Sequence, residues 1–303
     1  MTATQTDLHL PFDRPNVLEL APLYDVLRRE APVAAVTTPA GDPAWLVTRF
    51  EEVRDLLGDK RFGRSHPYPE KAAKINDGAV LEGPSGNYET EEADHTRMRR
   101  LLTPAFSAKR MRQMGEDVQA LVDGYVDEMI AARAADGRAD LHETLAVPLP
   151  VSVICRLLGV PQDDSGYFRD LSDRMATYDG STDAAGARAE FGRYMAGLAE
   201  QKRGHAGEDV ISDLVEAQEN DEAYDYEEMI RISVGLLFAG HETTVNRIGL
   251  GVLMLLTQRD RWEYLVEDPT RGPTPWSRRS CDSAPPATSG CCATRTPTSR
   301  SRA

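Results

Sequence analysis

Apolar residues recur every three or four positions along most of this chain, which is the spacing of one face of an α-helix. The pattern predicts an early helix that ends before Pro32 and a short helix in FEEVRDLLGD. Longer periodic segments predict helices over about 109–136, 145–158, 183–203 and 224–257. The sequence therefore indicates a mainly α-helical protein.

A different pattern occurs after the first helix. In AAVTTPAGDPAWLVTRF, two short apolar stretches flank the turn residues Pro39, Gly41 and Pro43, which predicts two strands. The predicted fold class is thus mainly α with a small β element.

The segment 64–93 is polar and rich in glycine and proline, so no regular element is predicted there. A loop of this length inside a compact domain is more often functional than idle. It is followed by DHTRMRRLLTPAF, in which Asp94 is a candidate N-cap. The helix is expected to end near Thr103 and Pro104.

No internal repeat and no linker divides the chain before residue 272, so we assign 1–271 to one domain. The segment 272–303 contains no Leu, Ile, Val, Met or Phe and carries a net charge of +4, whereas the preceding residues carry −18. Such a segment buries too little apolar surface to offset the entropy of ordering. It is therefore predicted to be disordered.

Two interpretations of this tail differ in its origin. It is either a natural flexible tail or a segment read out of frame. In a frame displaced by one base, WSRRSCDS can be encoded so that it yields VEEILRL, which has the pattern of an amphipathic helix. We therefore interpret 272–303 as an out-of-frame tail and the chain as truncated at its C-terminus.

The net charge narrows the range of partners. A formal net charge of −14 argues against nucleic acid and against anionic membrane surfaces. The N-terminus has no basic segment followed by an apolar one, and no apolar stretch is long enough to cross a bilayer. A cytoplasmic location is expected.

The four cysteines are Cys155, Cys281, Cys291 and Cys292. They form no CxxC pair and have no histidine nearby, so a zinc site is not predicted. A disulfide framework is not expected in a chain of this size without a secretory signal.

One apolar helical segment, LLFAGHETTVNRIG, contains a polar run. Glycine in mid-helix costs about 1 kcal/mol relative to alanine, and threonines can bond back to the carbonyl one turn earlier. Gly240 together with Thr243 therefore predicts a local distortion against a bulky ligand. Glu242 beside an alcohol can relay protons. A zinc-protease HExxH motif is excluded because the third residue after Glu242 is valine.

A second candidate site lies on the helix after the long loop. His95 and Arg99 are four positions apart and share one helix face. An arginine fork with a second donor beside it forms a site for carboxylates. The alternative is a solvated basic face of the helix.

These motifs together resemble the bacterial cytochromes P450. A-G-x-E-T-T is similar to the distal helix that crosses the haem face in that family, and H-x-x-x-R followed by Pro-Ala-Phe is similar to its propionate-binding helix. AWLVTRFEEVRDLLGDKRFGR and VPLPVSVICRLLGVP are also similar to family segments. The resemblance covers about 10–270 and implies a cytochrome P450 fold that lacks its proximal C-terminal part.

The resemblance implies a role for each matching residue. Those residues are Glu242 and Thr243 for proton delivery, Ala239 and Gly240 for lining the oxygen pocket, and His95 and Arg99 for holding the haem propionates. Arg97 and Arg100 point elsewhere on the helix and are expected to be solvated, or to form a basic patch for an acidic electron donor.

The resemblance also implies an activity, which is haem-thiolate monooxygenation with haem b (iron protoporphyrin IX) as the cofactor. One atom of dioxygen would hydroxylate or epoxidise an apolar small molecule of secondary metabolism. Ferredoxin and ferredoxin reductase would supply the electrons. The protein is expected to be monomeric and to bind neither nucleic acid nor membrane.

Two family features are missing from the sequence. The F-x-x-G-x-x-x-C-x-G loop that holds the iron does not occur, so no metal ligand is assigned. Cys155 lies in a predicted helix and is expected to be a small buried hydrophobe. The family's E-x-x-R is also absent after the distal helix, where the displaced frame supplies EEILR, and we interpret Glu228–Arg231 as a chance match.

The missing loop bears directly on the activity of the 303-residue chain. We expect the chain to be inactive, because it has no axial thiolate. The alternatives are a non-enzymatic remnant that binds haem or another small molecule, and a helical scaffold without a ligand.

Overall fold

The computed structural model describes residues 8–75, 83–176, 183–205, 207–220, 226–268 and 294–295. The chain divides into two compact units. The first comprises residues 1–94 with 275–303, and the second comprises residues 95–274.

The first unit combines short helices with antiparallel strands. Its elements are α1 (Pro22–Glu30), β1 (Val33–Thr37), β2 (Pro43–Val47), α2 (Phe50–Gly58), β3 (Phe62–Gly63) and a 3-10 turn (Pro69–Lys71). β1 and β2 pair with Val33 opposite Val47 and Thr37 opposite Pro43. Gly41 lies in the turn between them with a φ of +88°, a conformation that glycine adopts without strain.

The predicted loop 64–93 is held together where it begins and ends. The Glu91 carboxylate accepts hydrogen bonds from the backbone N–H groups of Arg64, at 2.6 Å, and Ser65, at 3.2 Å. It also accepts one from the Ser65 hydroxyl. Residues 76–82 of this loop lie outside the described residues.

A short strand, β4 (Thr294–Arg295), pairs antiparallel with β3, and Phe62 lies opposite Arg295. Apart from these two residues, the tail 272–303 lies outside the described residues, as do Cys281, Cys291 and Cys292. Its predicted disorder and its out-of-frame origin therefore stay predictions.

The helix α3 (Glu91–Leu102) leads into the second unit, whose described part is helical. The further helices are α4 (Ala108–Asp136), α5 (Pro148–Leu158), α6 (Ser165–Ala176), α7 (Ala184–Lys202), α8 (Val210–Asn220), α9 (Tyr226–Gly240), α10 (Glu242–Thr257) and α11 (Arg259–Glu267). A π-turn (His142–Ala146) precedes α5, and a 3-10 turn (Gln162–Asp164) follows it.

Local sequence explains where several of these helices begin and end. The Ser107 hydroxyl caps α4 by accepting a hydrogen bond from the backbone N–H of Arg110. Gly137 and Gly159 end α4 and α5 in the left-handed conformation, with φ of +73° and +77°. Pro148 lies in the first turn of α5, where a backbone N–H has no helical partner to lose.

The core of the second unit lies where α5, α6, α7, α8 and α9 pack together. Its fully buried side chains include Leu158, Phe168, Leu171, Phe191, Met195, Ile211, Leu214, Met229 and Leu237. Burying one side chain of this size contributes roughly 1.5–3 kcal/mol. One face of α9, the first half of the segment that carries the polar run, therefore packs into this core.

The structure confirms the predicted fold class. The first helix ends before Pro32, the two strands flank the turn at Gly41, and α3 ends next to Thr103. The segment 224–257 differs from the single long helix expected, because it forms α9 and α10 with a break between them. None of the described helices combines the length and apolar character that crossing a bilayer requires.

The prediction that Asp94 caps α3 is wrong. The helix begins three residues earlier, at Glu91. The Thr90 hydroxyl donates to the Asp94 carboxylate at 2.6 Å, so Asp94 bonds back to the residue before the helix from inside its first turns. Hydrophobic periodicity missed this start because Glu91 and Glu92 are polar and give no apolar signal.

Candidate functional site

The polar run in the apolar segment coincides with a break between two helices. α9 ends at Gly240, α10 begins at Glu242, and His241 between them has φ of −81° and ψ of −76°. The hydroxyl of Thr243 donates to the carbonyl oxygen of Ala239 at 2.7 Å. A threonine that bonds back to the previous turn bends a helix, so the predicted distortion is present.

The break has an exposed side and a buried side. Ala239, Thr243 and Thr244 are exposed, whereas His241 is buried. Ala239 and Thr243 lie one turn apart, so they form a small exposed surface that contains a hydroxyl. The side chain of Glu242 lies outside the described residues, and its role in proton delivery stays a prediction.

Gly240 lies close to the neighbouring helix α5. A Cβ atom at this position would come within 2.8 Å of Cγ1 of Ile154 and closer still to Cδ1. Real side chains do not tolerate such a distance, so the glycine allows α5 to approach. This packing contact is a reason for the glycine that the sequence analysis missed, and its role in lining the oxygen pocket stays a prediction.

His241 connects the break to α6. Its ring Nδ1 lies 3.0 Å from the Ser172 hydroxyl, and its Nε2 has no hydrogen-bond partner among the described residues. Burial lowers the pKa of His241, while nearby Asp173 raises it and Arg169 lowers it further. The ring is therefore neutral at neutral pH and acts as a hydrogen-bonded spacer between the two helices.

Sequence reasoning gave His241 no role beyond its place in the motif. The signal that could have found it is its position, four residues after Leu237 and four before Val245. All three residues are buried. A histidine in phase with the apolar face of a helix is expected to point into the core.

His95 and Arg99 are both exposed and lie one turn apart on α3. Neither side chain makes a hydrogen bond or ion pair within the described residues. The guanidinium offers a planar fork of N–H donors, and the imidazole offers a second donor beside it. The pair is therefore available to a carboxylate that approaches this face of α3.

Arg97 is not solvated, contrary to the expectation from sequence. Its guanidinium binds the Glu228 carboxylate through two hydrogen bonds, 3.2 Å from Nε to Oε1 and 2.7 Å from Nη2 to Oε2. The Glu228 side chain is only 5% exposed. A second guanidinium, that of Arg231, lies 3.8 Å from the same carboxylate. Glu228–Arg231 is thus part of a charge cluster, because a buried carboxylate needs cationic partners.

The two groups of candidate residues sit on different helices. Within the described residues, no hydrogen bond joins His95 or Arg99 to Ala239 or Thr243. The ion pair of Glu228 connects α3 to the first turn of α9. Glu228 and Ala239 are eleven positions apart, which is about 16 Å along a helix axis.

The chemistry of the described residues is compatible with the edge and one face of a haem, but none of them suits its iron. His95 and Arg99 suit propionate carboxylates, and Ala239 with Thr243 forms a small surface that a flat ring can approach. Cys155 is fully buried, and burial raises its pKa to about 12, so it does not supply a thiolate. Among the described residues, no cluster of His, Cys, Asp and Glu side chains is arranged to hold a metal ion.

Comparison with known proteins gives no match to a protein-family profile. Pentalenolactone synthase of Streptomyces exfoliatus is 37% identical over 268 residues, which cover 87% of this chain and 65% of that protein. Nocardicin C N-oxygenase of Nocardia uniformis subsp. tsuyamanensis is 38% identical over 277 residues, with coverage of 90% and 68%. Cytochrome P450 monooxygenase PikC of Streptomyces venezuelae is 40% identical over 255 residues, with coverage of 82% and 59%.

A solved structure agrees with these relatives. The substrate-free cytochrome P450 PimD, a polyene macrolide antibiotic pimaricin epoxidase, superposes with a TM-score of 0.74 at 34% identity. The match covers 88% of this chain and 68% of that one. The chain thus spans about two thirds or less of the length of these proteins.

Proposed function

Because the chain belongs to the cytochrome P450 family, we propose that it forms the distal, oxygen-facing part of a haem-thiolate monooxygenase. The helix break at His241 carries this proposal, since Thr243 there bonds back to Ala239 on an exposed side. A small open turn with a hydroxyl suits the approach of a flat ligand and a diatomic molecule. The chain spans 65% of the length of pentalenolactone synthase, so the activity belongs to the whole fold.

The residues of α3 are proposed to hold the haem by its edge. The fork of Arg99 binds one propionate, and His95 donates from the next turn. Both side chains are exposed and available, which supports this role. Hydrogen bonds to a charged group such as a propionate contribute about 1.5–3 kcal/mol each, so the pair is a substantial part of the affinity.

Proton delivery is proposed for Glu242 and Thr243. The Thr243 hydroxyl donates its hydrogen to the Ala239 carbonyl. The hydroxyl oxygen can therefore accept a hydrogen bond from a donor on the exposed side. Rotation of the hydroxyl about its C–O bond then lets it donate in turn. An acid one residue away can replace the proton that leaves.

The bound haem supplies the oxidising chemistry, in which one atom of dioxygen enters a C–H or C=C bond and the other leaves as water. The chain's part is to hold the propionates, to keep Ala239 and Gly240 small beside the oxygen site, and to move protons. The cysteine loop of the family is not among the 303 residues. We therefore propose that this chain alone does not turn over.

Membership of the family supports a proposal for the substrate class and the partners. We propose an apolar small molecule of secondary metabolism as the substrate, with ferredoxin and ferredoxin reductase as electron donors. Two relatives are named for the N-oxygenation of nocardicin C and the epoxidation of pimaricin, which supports this class of substrate. A monomeric, cytoplasmic protein is part of the same proposal.

A second candidate is a haem-binding protein without monooxygenase activity. It is favoured by one observation, namely that the propionate donors are present while Cys155, the cysteine within the described residues, is buried and protonated. The two candidates share the haem site and differ in whether the chain is part of a larger fold that supplies the thiolate or binds haem on its own without one.

Haem titration followed by absorbance tests the proposal. The native chain is expected to bind haem, and His95→Ala with Arg99→Ala should weaken binding at least about tenfold, which corresponds to about 1.4 kcal/mol. Arg112→Ala, at an exposed position on α4, is the matched control and should leave binding unchanged.

The carbon monoxide difference spectrum of the reduced complex separates the two candidates. A spectrum without the thiolate band favours the non-enzymatic binder for this chain. A thiolate band would show that a cysteine of the chain reaches the iron, which would contradict the proposal that this chain has no iron ligand. A chain that takes up no haem refutes both.

A further inference from the structure

We propose that Arg97 and Glu228 form a positioning pair, which sets the rotation of α3 so that His95 and Arg99 face the haem propionates. The proposal rests on the function proposed above, because it takes haem as the ligand. It assigns a role to two residues that make no contact with that ligand themselves.

The geometry of α3 places Arg97 on the side of the helix opposite to His95 and Arg99. Arg97 is two positions from His95 and two from Arg99, which corresponds to about 160° around the helix axis in both cases. The Arg97 side is bound to Glu228 on α9. The His95 and Arg99 side is exposed.

Packing alone gives α3 little resistance to rotation. The helix has no fully buried side chain, and Met98, Leu101 and Leu102 are only partly buried against the core. A bidentate ion pair is directional, because both N–H groups of the guanidinium must stay aligned with the two carboxylate oxygens. The contact between Arg97 and Glu228 therefore adds a directional restraint in the middle of α3, beyond apolar packing and the hydrogen bonds that Glu91 accepts at the start of the helix.

A small rotation is enough to disturb the opposite face. With side chains included, a helix has a radius of about 5–6 Å, so a rotation of about 20° moves a side-chain tip by about 2 Å. Hydrogen bonds tolerate a spread of only about 0.5 Å between donor and acceptor. Loss of the pair would thus move Arg99 and His95 out of reach of a propionate whose position the macrocycle fixes.

Haem and its dimethyl ester separate positioning from a general loss of structure. The ester lacks the propionate charges, so the ratio of its Kd to that of haem measures what His95 and Arg99 contribute. The ratio is expected to be well above one in the native chain and close to one in the double variant that carries both His95→Ala and Arg99→Ala. A variant with looser packing would raise both dissociation constants and leave the ratio unchanged.

Glu228→Gln is expected to lower this ratio by about fivefold or more, which corresponds to about 1 kcal/mol. Arg97→Lys keeps the charge but not the fork, so an intermediate ratio is expected. Glu263→Gln removes the exposed ion pair with Arg259 on α11 and serves as the matched control. It should leave the ratio as it is in the native chain.

The outcomes distinguish this inference from the function on which it rests. Haem binding with an unchanged ratio in Glu228→Gln and Arg97→Lys refutes the positioning role and leaves the proposed function intact. If the native chain binds neither haem nor the ester, both are refuted. If circular dichroism shows that Glu228→Gln does not fold, the ratio in Arg97→Lys decides.

Discussion

Replacing Gly240 by alanine tests whether the close approach of α5 explains the glycine at the helix break. The added methyl would come within 2.8 Å of Cγ1 of Ile154 and closer to Cδ1. Ile154 is only 7% exposed and its χ1 is stiff because it is β-branched, so it has little room to move. The change is therefore expected to strain this contact.

The magnitude follows from two opposing effects. Overpacking a buried site costs about 1–3 kcal/mol, whereas alanine gains about 1 kcal/mol over glycine in a helix. Gly240 does not have a positive φ, so the backbone itself accepts alanine. We expect Gly240→Ala to lower the free energy of unfolding by about 1 kcal/mol.

A second substitution should reverse the sign of this effect. Ile154→Ala removes the two atoms that the new methyl meets, and alone it should cost about 2–5 kcal/mol. In that background, Gly240→Ala meets open space and should stabilise the protein by about 1 kcal/mol. The two changes are then coupled by about 2 kcal/mol.

Urea unfolding followed by circular dichroism gives the four free energies, provided that the m values agree. If Gly240→Ala stabilises the native chain, or has the same effect in both backgrounds, the close approach does not explain the glycine. A coupling of the expected sign would mean that packing requires Gly240, so that Ala239 carries the proposed lining of the oxygen site.

Four further results are expected. Ser172→Ala should lower the free energy of unfolding by about 1–3 kcal/mol in urea, because Nδ1 of the buried His241 loses its partner. Burial lowers the pKa of His241, so its contribution to stability is full above about pH 6.5 and falls as the pH drops below that; an unchanged pH slope in His241→Gln would argue against this. Burial raises the pKa of Glu91, but the hydrogen bonds from Ser65 and from the backbone N–H of Arg64 outweigh burial, so the pKa is lowered overall. The contribution of Glu91 to stability is therefore present above pH 4.5 and is lost as the pH falls through the lowered pKa. Glu91→Gln should therefore cost about 1 kcal/mol at neutral pH, and equal stability to the native chain in urea would contradict that role. Cys155, fully buried with its pKa raised to about 12, should resist thiol reagents until the chain unfolds, and mass spectrometry showing rapid labelling of the folded chain would disprove it.

The sequence predicted what local information determines. Helix periodicity located α4, α5 and α7, and turn residues located the strand pair. The hydrogen bond from the Thr243 hydroxyl to the Ala239 carbonyl was also predictable, because its donor and acceptor lie one turn apart in the same segment. Gly240 in the same run correctly indicated where the helix is distorted.

The contacts between distant segments could not be predicted in this way. Arg97 and Glu228 are 131 positions apart, and Ser172 and His241 are 69 apart. Arg97 looks like a solvated cation in a polar helix until the fold brings α9 beside it. A single sequence does not show which distant charged side chains form ion pairs, so these partners can be identified only from the structure.

Three residues of the polar run act on different neighbours, and together they explain how the exposed surface keeps its shape. Gly240 lets α5 approach, His241 bonds to α6 through Ser172, and Thr243 bonds to its own helix at Ala239. The first two contacts hold the break from its buried side, while the third opens the turn on the exposed side. All of these partners lie within the described part of the second unit. The exposed surface is therefore shaped by its own core, and under the proposed function a haem would meet a preorganised site rather than one that the ligand has to create.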